Sequence, residues 1–217
     1  MRALRELCDR YGIWLVFDEV KVGLGRSGRM WAFEHSGVTA AAISAGKPLG
    51  GGLPLSAVIA RRELLDADIC NLYTLGGAPV PCAAGLATLD VIRDQGLMGN
   101  AADVGEHLCA GLRELARAHP SIGDVRGMGL MLGFELVEDR ATKAPAPRLA
   151  ARLVYRCFEL GLMLIYCGLL ANVIEMTPAL TLTRADADEA LAIIDHALAD
   201  CEAGRFDDAK LAPYAGW

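Results

Sequence analysis

The sequence predicts a mixed α/β chain built as two successive units, residues 1–96 and 97–217. Three observations carry that expectation. Short apolar runs of strand length, at residues 14–17, 40–45 and 55–60, each stop at charge or follow a glycine cluster. Beyond residue 100, helix-period patterns alternate with further strand-like runs. Between the two regions, at residues 95–100, the periodicity breaks. A chain of 217 residues with 53% hydrophobic residues and mean hydropathy +0.32 can bury a substantial core and is not a disordered chain. A net charge of -6 gives no electrostatic reason to expect nucleic acid or a membrane surface. No apolar stretch is long enough to span a bilayer and the amino terminus lacks a signal peptide's apolar centre, so a cytoplasmic protein is expected. The seven cysteines are odd in number, scattered and without a CxxC, which suggests neither a disulfide framework nor a metal site.

Residues 1–12 read as an amphipathic helix, with Leu4, Leu7 and Tyr11 at helical spacing and Gly12 ending it. The helix feeds the first strand, which stops abruptly at Asp18 and Glu19. A short run ending in charge reads as a buried strand that delivers side chains at its carboxyl end, where open α/β sheets place ligands. A glycine-rich connection, 22–28, and a short helix or turn, 30–35, follow, with His35 as a packed or surface imidazole. The second strand ends in Gly46 and Lys47, and the third follows the triplet Gly50, Gly51 and Gly52. Residues 61–66 form a short helix or turn, and 82–93 an apolar helix rich in small residues. In the second unit a long helix, 101–118, carries Val104, Leu108, Leu112 and Leu115 on one face, with His107 and His119 expected at the surface. Two strands from Ile122, bent by glycines, lead to a proline-containing surface loop at 144–147 and a helix at 148–160. Strands at 162–167 and 173–177 and a helix at 186–203, with Asp186 and Asp188 favouring its amino end, complete the pattern.

Three strands thus gather around one acid and one lysine, a combination that suits pyridoxal phosphate. A lysine at a strand end in largely apolar surroundings loses its charge more easily and can form a Schiff base with the cofactor aldehyde; Lys47 is the candidate. A carboxylate facing the pyridine nitrogen keeps the ring protonated and electron-accepting; Asp18 is the candidate. A nucleotide P-loop needs glycine six residues before the lysine and Ser or Thr after it, and Ala41 and Pro48 stand there instead. The GxG at Gly127 and Gly129 lacks the strand, turn and helix order of a dinucleotide site.

DEV at 18–20, GRSG at 25–28, FEH at 33–35 and GKPLGGGLPLSAVIA from Gly46 resemble the class III aminotransferase family of pyridoxal-phosphate enzymes, fold type I. The resemblance implies that residues 1–96 are the second half of that fold's large domain and that residues 97–217 are a small carboxyl-terminal α/β domain. It implies Lys47 as the Schiff-base lysine, Asp18 as the partner of the ring nitrogen and Val20 packed on the ring face. The segment from Tyr73 resembles the family's T-x-G-G-N-P string, which makes Thr74 a ligand of the cofactor phosphate in a neighbouring subunit and the assembly a homodimer. Two departures are Ala78 for the asparagine of that string and Ala41 for an aspartate that the family usually has before the lysine strand. The family's earlier half, with its phosphate loop and ring-stacking aromatic, has no equivalent here, which implies a truncated chain or complementation by the missing half.

A narrower similarity, through DEVKVGL, LPLSAVIA, HPSIGDVRGMGL, LVYRCFELGL, NVIEMTPALTLT and the terminal YAGW, is to the racemases of that family that act on α-amino-ε-caprolactam and amino-acid amides. Lys21 stands where transaminases often carry glutamine. Glu175 stands where amino-acid transaminases generally carry an arginine that grips a substrate carboxylate, and the reversed charge favours a neutral amide, a lactam or an amine. The plain readings of these two are a solvated loop lysine and a solvent-facing residue of a strand edge. The expected reaction is racemisation through an α-carbanion, with Lys47 working on one face. The acid/base group for the other face would, by the resemblance, be an aspartate upstream of Met1. The alternatives are a transaminase that moves an amino group to a 2-oxo acid, and an inactive truncated fragment.

Overall fold

The computed structural model describes residues 1–66 and 73–214; Cys70 and residues 215–217, most of the YAGW string, lie outside the described residues. The chain divides into two compact units, Met1–Ala101 and Ala102–Trp217.

The first unit opens with helix α1 (Arg2–Tyr11), which ends where Gly12 takes a left-handed conformation, φ 65°. Strand β1 (Val16–Asp18) alternates, burying Phe17 and turning Val16 and Asp18 outward. A connection containing a 3-10 helix (Ala32–Ser36) carries the chain to β2 (Ala42–Ala45), which pairs parallel with β1. Strand β3 (Ala57–Ala60) runs antiparallel on the other side of β2, for a sheet order β1-β2-β3. The core beneath it consists of Cys8, Leu15, Phe17, Val38 and Ile43, with Trp31, Phe33 and Ala40 packed against them. The rings of Phe17 and Phe33 stack with centroids 5.7 Å apart, which fixes the connection over the sheet. Helix α2 (Arg62–Leu65) follows, then α3 (Pro79–Asp94). The latter starts three residues before the expected point because Pro79 suits a first helical turn, whose N–H groups have no helical partner. Trp14, Val16, Val58, Ile59, Val80 and Leu86 leave much apolar surface exposed in this unit.

Helix α4 (Leu97–Ala118) crosses the boundary between the units. Strands β4 (Ile122–Met128) and β5 (Met131–Asp139) form an antiparallel hairpin, turned by Gly129 and Leu130. The expected loop at 144–147 instead contributes a two-residue strand, β6 (Ala144–Pro145), on β5. The turn before it is closed by Asp139, whose Oδ1 accepts the N–H groups of Ala141 and Thr142, and a proline is tolerated on so short an edge strand. After α5 (Pro147–Glu159) come β7 (Ile165–Cys167), β8 (Val173–Met176) and α6 (Arg184–Glu202). The sheet order is β4-β5-β8-β7 and every pairing is antiparallel. Phe134, Leu136, Ile174, Leu112, Leu153 and Leu198 are wholly buried and form the second unit's core. Helix α6 starts two residues earlier than expected because Thr183 and Asp186 form a reciprocal capping box.

His119 is a correction to the sequence reading. It is 5% exposed, not superficial, and each ring nitrogen lies 2.8 Å from a carboxylate of α6, Asp195 or Glu202. Burial is tolerated because no polar atom of the ring is left without a partner. His107, by contrast, stays half-buried beside Asp188. The six described cysteines are free thiols. Burial pushes Cys157 up to about 12 and Cys201 up to about 11, so both behave as packing groups rather than nucleophiles.

Two glycines of α4 give a paired test. A Cβ on Gly105 would lie 2.1 Å from the Gly129 carbonyl oxygen, a backbone atom, whereas one on Gly99 would meet nothing within 4 Å. Gly99→Ala should stabilise the chain by up to about 1 kcal/mol through helix propensity. Gly105→Ala should lose that gain and destabilise by roughly 1–3 kcal/mol, as overpacking does. Urea midpoints of the two variants, moving in opposite directions from the parent, are the measurement.

Candidate active site

The site begins with strand polarity. Because β1 and β2 are parallel and pair Asp18 with Ser44, their carboxyl ends lie on one edge of the sheet. Asp18 is the last residue of β1, and Lys47 follows β2 by two residues, so both emerge at that edge. Antiparallel β3 begins there too, with Ala57 opposite Ala45.

The Asp18 carboxylate is exposed but not loose. Its Oδ1 accepts the Val20 N–H at 3.0 Å and the Ser44 hydroxyl at 3.2 Å, and Oδ2 takes no hydrogen bond among the described residues. One oxygen orients the group and the other is presented outward as an acceptor. Val20 packs at the start of the lysine turn: a Cβ on Gly46 would lie 3.4 Å from its Cγ1 and 3.8 Å from Cβ of Ser56. Lys47 opens a 3-10 turn (Lys47–Gly50) with φ 42°, in the left-handed region that a lysine seldom enters. Its ammonium has neither hydrogen bond nor ion pair among the described residues. The expectation of apolar surroundings is not met, since Lys47 is exposed and only Leu49 and Gly50 of its turn are buried. Helix α3 packs on this turn, and Gly85 lies so close that a Cβ there would be 2.6 Å from Leu55 and 3.3 Å from the Leu49 carbonyl.

Glu19 is a residue whose part the sequence reading missed. It is 3% exposed, and its two carboxylate oxygens accept the N–H groups of Ala32 and Phe33, each at 2.9 Å. It therefore caps the 3-10 helix of the connection from the far side of a 13-residue gap and holds that connection to the end of β1. Ser44 was missed as well; a lone hydroxyl in an apolar strand three residues before the lysine was the available signal. His35 has its Nε2 3.1 Å from both the carbonyl and the hydroxyl oxygen of buried Ser27, the packing role expected of it.

Lys21, Thr74 and Glu175 are the remaining candidates. Lys21 is exposed in the turn after Val20. Thr74 is exposed in the turn before α3, between Tyr73 and Leu75, which are 70% and 82% exposed. Glu175 belongs to the second unit, on β8, between β5 and β7, so the strand-edge reading is wrong: the residue pairs with Gly133 on one side and Ile165 on the other. Half-buried, it approaches the Cys167 thiol at 3.7 Å and the Thr177 hydroxyl at 3.5 Å. It lines a pocket of about 610 Å³ with apolar walls from Leu108, Met176, Leu182 and Ile193 and two more carboxylates, Asp186 and Glu189. Among the described residues no cluster of side chains fits a metal ion, and no helix is long and apolar enough to cross a membrane.

The donor set at the sheet edge fits pyridoxal phosphate at two points: an oriented carboxylate with an open oxygen for a protonated ring nitrogen, and an unpaired primary amine for the aldehyde. Comparison with known proteins agrees. Residues 1–198 match the family model for aminotransferase class-III. The chain is 40% identical over its full length to 49% of a leucine/methionine racemase from Thermococcus litoralis. It is 41% identical, over 93% of its length and 47% of the relative's, to a 5-aminovalerate aminotransferase from Pseudomonas aeruginosa. A solved amine transaminase from an uncultivated Pseudomonas species, in its PLP-bound form, superposes with TM-score 0.85 at 36% identity, covering 91% of this chain and 47% of that one. The chain spans about half the length of the curated relatives it matches. Sheet-edge geometry, family model and relatives converge, and the chain belongs to the class III aminotransferase family, whose members are pyridoxal-phosphate-dependent enzymes.

Proposed function

We propose that this chain supplies the lysine and the ring-nitrogen carboxylate of an enzyme that racemises amino-acid amides or lactams. The observation that carries the reading is the parallel β1 and β2 pair, which brings Asp18 and Lys47 out at one sheet edge with Val20 between them. When bound, pyridoxal phosphate withdraws electrons from the substrate α-carbon and so makes its proton acidic. Asp18, fixed through Oδ1, would hold the ring nitrogen through its open Oδ2. Val20, beside Gly46, would pack against the ring. The amine of Lys47 would hold the cofactor aldehyde and, when free, would move a proton at the substrate α-carbon. The Thr74 hydroxyl would donate to the cofactor phosphate in a second copy of the chain, a role that suits its exposed turn and would make the active assembly a homodimer. Lys21 flanks the substrate side. A cytoplasmic setting accompanies the reading, in keeping with the free thiols among the described residues.

The substrate class rests on Glu175. Among the described residues three carboxylates and no cation line the pocket around Glu175, surroundings that disfavour an anion and tolerate a neutral amide, a lactam or an amine. Transamination is the second reading, favoured by the 41% identity to an aminotransferase. It requires that the carboxylate of a 2-oxo acid be held as well, and Glu175 opposes that.

Borohydride reduction in the presence of the cofactor, in an assembly that completes its site, followed by peptide mapping, should place the label on Lys47. Recovery on Lys21 or Lys210 would overturn the assignment. For the substrate class, deuterium incorporation at the α-carbon should run faster for amides than for the matched free amino acids. Glu175→Arg should narrow or invert that preference by roughly 1.5–3 kcal/mol, the worth of a charged hydrogen bond. Rapid glutamate formation from 2-oxoglutarate by the parent enzyme, with little deuteration of recovered amide, would favour the transaminase.

A further inference from the structure

His119 sits at the junction between α4 and β4, where the chain turns through Pro120 and Ser121. Its Nδ1 is 2.8 Å from Oε2 of Glu202 and its Nε2 is 2.8 Å from Oδ1 of Asp195, one carboxylate at the end of α6 and the other two turns earlier. A neutral imidazole has one N–H and one acceptor nitrogen, whereas an ionised carboxylate can only accept. Both contacts can be hydrogen bonds only when both ring nitrogens carry protons. We propose that His119 is a proton-operated latch, whose charged form ties the α4–β4 junction to α6 at two points and whose neutral form holds it at one.

The neighbouring groups decide which tie is lost. Glu202 is 25% exposed at its side chain and also accepts the Ser121 hydroxyl through Oε1, so it is held whatever the state of the ring. Asp195 is 56% exposed and has no other hydrogen bond among the described residues. A neutral ring therefore keeps its Nδ1–H on Glu202 and presents a lone pair to Asp195, which swings out to water. Of the charged groups near this junction, Lys143 donates to the Gly123 carbonyl and Arg140 follows β5. Its guanidinium donates to the carbonyls of Ala116, His119 and Ile122, holding the backbone without facing the ring, so the junction stays in place while the middle of α6 is released.

The direction of the switch follows from the balance of forces on the ring. Burial acts most strongly and opposes the charge, but the hydrogen bonds and charges of Glu202 and Asp195 together outweigh it, and the pKa is raised above the ordinary histidine value of 6.5. A group whose pKa is higher in the folded state stabilises it fully below the unfolded value and loses that contribution as pH rises through the folded value. The latch is thus closed below the raised folded-state pKa and opens as pH rises through it.

The test is ring-nitrogen NMR of the full chain, with amide exchange along α6, between about pH 6 and about pH 9, a window that brackets histidine titration. His119 should carry protons on both nitrogens at the acid end and titrate above 6.5, and protection of the α6 amides around Asp195 should fall several-fold on its deprotonation. In Asp195→Asn the amide can either donate to or accept from Nε2, so that α6 protection should become nearly independent of pH while the fold is kept. In His119→Gln the dependence should vanish with the titrating group. A His119 that titrates at or below 6.5, or an Asp195→Asn protein with the parent's full pH response, would overturn the proposal.

Discussion

Three residue pairs, Val16 with Ala42, Phe17 with Ile43 and Asp18 with Ser44, hold β1 parallel to β2, and the rest of the first unit follows from that register. A slip of one residue would turn Phe17 to solvent and Asp18 into the core, because successive side chains point to opposite faces. Phe17 is kept inward by its stack on Phe33, and Phe33 is kept in place by Glu19, the residue next to the carboxylate that is turned outward. Packing and site geometry are therefore set by the same few atoms. Removing the Glu19 carboxylate would leave two N–H groups of the connection without acceptors and loosen the wall against which Phe17 stacks.

The second unit solves a different problem. Its sheet is wholly antiparallel and its core draws on both the sheet and α4, α5 and α6. Close backbone approach, not bulk, governs the join of α4 to the hairpin, where Gly105 faces Gly129. Around this core runs a belt of ion pairs: Asp208 is held by Arg152 and Arg148, and Asp200 by Arg156 and Arg205. Hydrogen bonding to Arg152 foremost brings Asp208 down to about 2. The belt is graded, from a buried Asp200 to largely exposed Arg148 and Arg205, and its forked arginine contacts fix the orientation of the helices that carry them.

Much of this was legible in the sequence because it depends on local chemistry. The α/β class, the three strands of the first unit and the hairpin at Ile122 follow from apolar periodicity punctuated by glycine. The conjunction of Asp18 and Lys47 was legible because both end apolar runs, and ends of parallel strands share an edge. What escaped depends on partners distant in sequence. Glu19 reaches 13 and 14 residues ahead, His119 reaches more than 70, and β6 exists only because β5 lies beside it. The strand-edge reading of Glu175 failed likewise, since a strand's neighbours are a property of topology and not of its own residues.

The backbone at position 47 carries a consequence of its own. A left-handed φ of 42° costs an L-residue with a side chain roughly 1–2 kcal/mol, and glycine would adopt it almost freely. Stability and chemistry therefore pull this position in opposite directions. A lineage of this chain selected only to stay folded would drift toward glycine at 47, whereas one that must keep a primary amine at the sheet edge has to carry the conformational penalty from one generation to the next. Position 47 is thus a place where descent under folding alone and descent under catalysis leave different residues behind.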